Sequence, residues 1–97
     1  MLFRSKGAVT SYARALAVEL ARHRIRVNSI LPGWIESEMT TGVFGDAKFA
    51  GAVLPRVPLR RWGTADDFGG IAVYLASDAS SYMTGADLLI DGGYTKF

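Results

Sequence analysis

The chain has 97 residues, of which 49% are hydrophobic and 21% charged, and its formal net charge is +2 at pH 7. This composition is typical of one globular unit and excludes a disordered or fibrous chain. The eleven basic residues are scattered among nine acidic ones, so we expect no nucleic-acid partner. The sequence has no cysteine, which excludes disulfides and thiolate metal sites and fits a reducing cytoplasm.

The sequence also argues against a membrane partner. No apolar run approaches the ~18 residues that a membrane-spanning helix needs. The first residues do not show the basic and then apolar pattern of a signal peptide. We therefore expect a cytoplasmic protein.

A helix is predicted from about residue 4 to residue 22. Apolar side chains recur on one face of this segment, at Val9, Tyr12, Ala13, Leu16, Ala17 and Leu20. We interpret Tyr12 as part of the core on this face. Three basic residues, 22–24, follow in the last turn, where positive charge complements the helix dipole. Lys6 lies near the start, and a lone helical lysine is usually a solvated charge.

The remaining elements follow in the order strand, flap, helix and strand. The apolar run IRVNSIL ends at Pro32-Gly33 and predicts a buried strand. Glycines and prolines interrupt residues 36–63, which we expect to form a mobile flap in which DAKFAGAVL holds a helical turn or two. Thr64, as a hydroxyl cap, begins a helix that stops near Ser77. A second strand, ADLLID, closes at Gly92-Gly93.

This order predicts an α/β fold in which two parallel strands are joined through a helix by a right-handed crossover. A parallel sheet needs helices on both faces and neighbouring strands at its edges. The predicted elements leave one edge open, and no strand precedes the first helix. We therefore expect residues 1–97 to form a single partial domain, the C-terminal half of a doubly wound sheet whose N-terminal half is absent.

Several motifs in succession resemble the C-terminal part of the short-chain dehydrogenase/reductase family. They are SKGA, VN-x-I-x-PG, PL-x-R-x-G, YLASD-x-S-x-Y-x-TG and DGG, and together they cover residues 5–93. The resemblance implies a Rossmann-like fold and hydride transfer between NAD or NADP and a small alcohol or carbonyl substrate. It also implies a homo-oligomer that associates through the helix at residues 5–22.

The resemblance gives Lys6 a catalytic and cofactor-binding role. In the family this lysine follows a tyrosine by four residues, which places both side chains on one helix face. Its ammonium favours the tyrosinate that exchanges a proton with the substrate, and it hydrogen-bonds the cofactor ribose. Here Leu2 stands at the tyrosine position. The Gly-rich phosphate turn of the family is also absent from these residues.

The loop after the first strand is similar to the family's nicotinamide-binding loop. By this resemblance the Ile35 backbone and the Ser37 hydroxyl hold the carboxamide. The implied cofactor-binding residues of the loop are Pro32, Gly33, Trp34, Ile35 and Ser37. Without the resemblance, the same residues are an ordinary turn in which Ser37 caps the flap.

The flap resembles the family's substrate-covering segment. Its implied substrate-loop residues are Met39, Val43 and Phe44. Their apolar side chains are equally consistent with ordinary packing beneath a loop.

Two functions remain open from the sequence. By resemblance the chain is an NAD(P)-dependent oxidoreductase, although we expect the 97 residues alone to bind the cofactor weakly and to be inactive. The alternative is a non-catalytic structural or interaction remnant that dimerises with itself or with an intact relative. We predict no metal site.

Overall fold

The computed structural model describes residues 2–96, and side chains from residue 7 onward. The main elements in chain order are α1 (Leu2–Leu20), β1 (Ser29–Pro32), α2 (Thr41–Phe44), α3 (Ala47–Val53), α4 (Asp66–Ala76) and β2 (Asp87–Ile90). This order confirms the predicted α/β class. Within these residues, no helix combines the length and the apolar character that crossing a membrane requires.

The two strands pair in parallel. The Ser29 N–H donates to the Ala86 carbonyl at 2.9 Å, and the Gly33 N–H donates to the Ile90 carbonyl at 3.1 Å. Residue numbers rise together along both strands, which is the parallel arrangement predicted from the sequence. A Cβ at Gly33 would lie 2.7 Å from the Cβ of Asp91, so the end of β1 requires glycine.

The strand β1 begins later than the run IRVNSIL predicts. Its first part, residues 25–28, is outside the regular strand because side chains replace part of the backbone ladder. The Val27 N–H donates to the Thr84 hydroxyl at 3.1 Å, and the Asn28 side-chain oxygen accepts from the Ala86 N–H at 3.0 Å. Asn28 also donates to the Met83 carbonyl at 3.2 Å. Asn28, the polar residue within the apolar run, therefore joins the two segments through its side-chain hydrogen bonds to Ala86 and Met83, which we call the Asn28 clasp.

The chain divides into two compact units. The first comprises Met1–Leu31 and Val73–Leu89, and the second comprises Pro32–Ala72 and Ile90–Phe97. In the first unit, Ala17 is 2% exposed and lies against Gly85. The Arg26 guanidinium donates to the carbonyls of Leu75 at 2.8 Å and Met83 at 3.3 Å. Arg26 thus satisfies a carbonyl in the last turn of α4.

The helix α1 differs from its prediction in two respects. It ends at Leu20, and a tighter 3-10 turn, Ala21–His23, carries two of the basic residues before Arg24 turns the chain with a φ of 62°. Tyr12 is 69% exposed, so its interpretation as a core residue was wrong. Along the apolar stripe, Val9 and Tyr12 face solvent, Leu16 and Leu20 are half-buried, and Ala17 is buried.

The flap of the second unit contains two short helices rather than a wholly irregular segment. The predicted helical turns in DAKFAGAVL are confirmed by α3, which begins after Asp46. The Asp46 carboxylate accepts the Lys48 N–H at 2.9 Å and caps this helix. The preceding helix, α2, was not predicted and ends at Phe44, which is 7% exposed.

The helix α4 begins close to the predicted residue, but its capping is reversed. The Asp67 carboxylate accepts the Thr64 N–H at 2.8 Å, and the Thr64 hydroxyl is a donor to the same carboxylate at 3.4 Å. The sequence predicted that the hydroxyl would accept a helix amide. Instead, the Asp67 carboxylate in the first turn accepts from the groups of Thr64 that precede the helix, as in a capping box.

Candidate functional site

A backbone bridge fixes the loop that follows β1. The Gly63 N–H donates to the Trp34 carbonyl at 2.9 Å, and the Glu36 N–H donates to the Gly63 carbonyl at 2.8 Å. These bonds form a parallel bridge between Ile35 and Gly63. Because backbone groups alternate in direction along an extended segment, the N–H and carbonyl of Ile35 point away from Gly63.

On that outer side, the hydroxyl of Thr40 organises the loop. It accepts the Ser37 N–H at 2.7 Å and is 3.2 Å from the Ile35 carbonyl, to which it donates. The Ser37 hydroxyl is 3.4 Å from the Thr40 hydroxyl, and the Ser37 side chain is exposed. Among residues 2–96, no group accepts the Ile35 N–H.

The loop therefore presents one backbone donor at Ile35 and one exposed hydroxyl at Ser37. A hydroxyl can donate and accept, and a backbone N–H can only donate. Together they complement a ligand that has an acceptor and a donor close together, such as a primary amide. These are the two groups to which the family resemblance assigned carboxamide binding, and that role stays a prediction.

A cavity of about 210 Å³ lies in the second unit beside this loop. It is lined by Trp34, Ile35, Val57, Leu59, Arg61, Gly63, Asp67, Phe68, Ile90, Asp91 and Gly92. Most of these side chains are apolar, and the charged members are Arg61 and two aspartates. In the described part of the chain, no three His, Cys, Asp or Glu residues come together as metal ligands would.

The charged pair at the cavity joins the Arg61 segment to the start of α4. Both terminal nitrogens of Arg61 lie 2.9 Å from the two carboxylate oxygens of Asp67. The hydrogen bonds from Arg61 and from the Thr64 N–H hold the pKa of Asp67 well below its usual range. Asp67 in turn raises the pKa of Arg61. Because both groups stay ionised near neutral pH, this pair is suited to holding structure rather than to transferring protons.

The other predicted site residues are distributed over both units. Lys6 lies in α1, in the first unit, and its side chain is outside the described residues. Pro32 ends β1, and Gly33 follows it against Asp91. The roles of these residues stay predictions.

The substrate-loop residues have different exposures. Met39 is 94% exposed and Val43 is 51% exposed, whereas Phe44 is packed among aromatic rings. Sequence reasoning missed the stacking of Phe44 on Trp62 and the contact of Tyr94 with Trp34. Their aromatic identity was the available signal, but their positions in the sequence lie far from the flap helices.

The element order, the parallel strand pair and the loop at the carboxyl end of β1 define an α/β protein of the Rossmann-like class. Comparisons with known proteins are consistent with this class. A sequence profile described as enoyl-(acyl carrier protein) reductase matches residues 2–95. The chain belongs to the short-chain dehydrogenase/reductase family.

Individual relatives support the same assignment. The chain is 48% identical over 90 residues to 2-dehydro-3-deoxy-D-gluconate 5-dehydrogenase of Pseudoalteromonas atlantica, covering 93% of this chain and 35% of that protein. A short-chain dehydrogenase/reductase structure from Mycobacterium marinum is 49% identical, with a TM-score of 0.84 over 95% of this chain and 35% of its own. An Agrobacterium tumefaciens structure with bound NADP is 40% identical, with a TM-score of 0.89 over 97% of this chain and 38% of its own. The chain thus spans about a third of the length of these relatives.

Proposed function

We propose that this chain is the nicotinamide-facing part of an NAD(P)-dependent oxidoreductase that interconverts an alcohol and a carbonyl. Three observations support the proposal: family membership, the NADP bound by the Agrobacterium tumefaciens relative, and the donor pair of Ile35 and Ser37. The observation that carries it is the Ile35 N–H, which the described residues leave without an acceptor beside an exposed hydroxyl.

The residues of the loop fit a nicotinamide carboxamide. The Ile35 N–H would donate to its oxygen, and the Ser37 hydroxyl would bind its amide group. The nicotinamide, when bound, supplies or accepts the hydride. The bridge between Ile35 and Gly63 would keep the donor aimed at the ligand without a change of backbone conformation.

Lys6 would assist proton transfer to the substrate and bind the cofactor ribose. Its ammonium would favour the deprotonated form of a nearby phenol and hydrogen-bond a ribose hydroxyl, as the family resemblance implies. The residue four positions earlier is Leu2, which can neither donate nor accept a proton. The 97 residues also contain no G-x-G-x-x-G run for a pyrophosphate. We therefore propose that these residues alone bind the cofactor weakly and do not turn over.

The relatives suggest the class of substrate. The Pseudoalteromonas atlantica relative is named for a dehydrogenase acting on a 2-dehydro-3-deoxy-D-gluconate, which is a hydroxylated acid. We extend this class to the present protein, with Met39, Val43 and Phe44 in the segment that covers the substrate. The cytoplasmic location expected from the sequence is kept as part of this proposal.

The exposed apolar face of α1 supports association with a second copy. Val9 is 58% exposed and Tyr12 69%, and exposed apolar patches mark association sites. We propose homo-oligomer formation through the helix at residues 5–22. A structural remnant that only associates is the second candidate function, and this exposed face is the observation that favours it.

An NMR titration with NADH tests the cofactor proposal. Amide shifts on millimolar addition should centre on Ile35 and Ser37, and Ser37→Ala should reduce them. Ser81→Ala, which removes an exposed hydroxyl outside the loop, is the matched control and should leave them unchanged. Amide shifts that do not centre on the loop, or that are undiminished in Ser37→Ala, would contradict carboxamide binding at Ile35 and Ser37. Such a result would favour the second candidate function, a structural remnant that only associates.

A further inference from the structure

Five aromatic rings connect the flap helices to the loop after β1. Both tryptophans of the chain take part, and the members are Trp34, Phe44, Phe49, Trp62 and Tyr94. Phe44 is the best-packed member. Its ring stacks on Trp62 with centroids 4.0 Å apart and planes at 15°, and it also contacts Phe49 at 5.9 Å.

Two of the rings, Trp34 and Trp62, belong to segments that backbone hydrogen bonds pair together. We define the base as residues 34–36 and 62–63, which the hydrogen bonds between Trp34, Glu36 and Gly63 pair together. A Cβ at Gly63 would lie 2.6 Å from the end of the Ile35 side chain, so the two segments approach closely. The base therefore links Trp62 directly to the residue whose N–H is available to a ligand.

The flap helices α2 and α3 are too short to be stable without tertiary contacts. The helix α2 has four residues and no side-chain cap hydrogen bond, and α3 has seven residues. Helices of this length are unstable in isolation, so tertiary contacts decide where they lie. Phe44 of α2 and Phe49 of α3 both contact Trp34 and Trp62.

We propose that the stack of Phe44 on Trp62 is a latch that holds the flap helices against the base. Trp62 is then a positioning residue, which acts on the flap through Phe44. The consequence for activity rests on the proposed function: the segment that covers the substrate and the loop that holds the carboxamide would be positioned together. Substrate preference would then depend on Trp62, which lies outside both flap helices.

Hydrogen exchange on the 97-residue chain tests the latch without any cofactor. Trp62→Leu keeps an apolar side chain but removes the stacked ring. Amides of α2 and α3 should then exchange about tenfold faster, while those of α1 keep their rates. Phe44→Leu should give the same pattern. Trp62→Phe restores a ring and should return the flap amides to wild-type exchange.

A matched control uses Tyr82, a fully exposed aromatic residue of the first unit. Tyr82→Leu should leave exchange in the flap unchanged. Unchanged flap exchange in Trp62→Leu would overturn the latch. Equal acceleration in α1, or a Trp62→Phe chain that behaves like Trp62→Leu, would also overturn it, because Trp62 would then serve general packing. If NADH titration fails while the exchange pattern holds, the proposed function falls and the latch stands.

Discussion

Arg61 and Asp67 form a two-point ion pair in which each terminal guanidinium nitrogen lies 2.9 Å from one carboxylate oxygen. The same carboxylate also accepts the Thr64 N–H at the start of α4. The pair therefore connects the end of the flap with the helix that follows it. Two-point geometry of this kind is more directional than a single contact between a lysine and a carboxylate.

This ion pair predicts a pH dependence of stability. The folded-state pKa of Asp67 is lowered, so its contribution is present above the unfolded pKa of ~4 and is lost as pH falls through the folded value. The difference in urea midpoint between wild type and Asp67→Asn should be greatest at neutral pH and shrink below pH ~4. Asp78→Asn, which removes an exposed carboxylate elsewhere, controls for the change in net charge. A difference that grows on acidification would contradict the prediction.

Gly33→Ala should destabilise the chain. The new Cβ would meet both the Cβ and the Cα of Asp91 within 3 Å, and backbone atoms cannot rotate away. Overpacking of this kind costs roughly 1–3 kcal/mol of unfolding free energy. Gly42→Ala in α2 meets nothing within 4 Å and should be neutral or stabilising. Urea unfolding checks both, and equal effects of the two substitutions would be inconsistent with the close approach.

Asn28→Ala should weaken the junction before β1. The substitution leaves the Ala86 N–H without its side-chain acceptor, whereas the Met83 carbonyl keeps the Arg26 guanidinium at 3.3 Å. Unsatisfied, partly buried backbone groups cost about 1–3 kcal/mol. Asn28→Asp is the matched variant, since it keeps the acceptor for Ala86 and replaces the donor to the Met83 carbonyl with a carboxylate oxygen. Calorimetric melting should rank wild type above Asn28→Asp and Asn28→Ala lowest, and a different order would show that the clasp contributes little.

Self-association should depend on the exposed face of α1. Tyr12→Glu places a charge in an apolar patch and should convert a dimer or larger species into monomer at micromolar concentration. Tyr82→Glu adds the same charge at a fully exposed aromatic residue away from α1 and should leave the association unchanged. Sedimentation equilibrium measures both. A wild-type chain that is already a monomer and unfolds cooperatively would mean that this face is not an interface.

The 97 residues alone should show no dehydrogenase activity. Loss of general acid catalysis typically removes ~10²- to 10⁴-fold in rate, and weak cofactor binding removes more. Leu2→Tyr restores a phenol four residues before Lys6 but no pyrophosphate site, so it should also remain inactive. Absorbance at the NAD(P)H band with a hydroxylated keto acid is the measurement. Steady oxidation by a pure chain, or calorimetric binding at micromolar NAD or NADP, would disprove this prediction.

The sequence by itself determined the family and the order of helix, strand, flap, helix and strand. Apolar periodicity and the motif succession are local signals, and local signals are sufficient to place elements along the chain. They also predicted helical turns in DAKFAGAVL, where α3 forms and Asp46 caps it. The positive φ values of Gly92 and Gly93 agree with the tight turn predicted there.

The tertiary structure decided what the site can offer. Within residues 2–96 the Ile35 N–H has no acceptor, and Gly63, 28 positions later, pairs with the opposite side of that backbone segment. The clasp of Asn28 and the stack of Phe44 on Trp62 likewise join residues that no local pattern relates. These contacts join residues that are distant in the sequence, so each one requires a long segment of chain to close on itself. Their energies depend on which groups meet in space and not on the residues adjacent in the sequence.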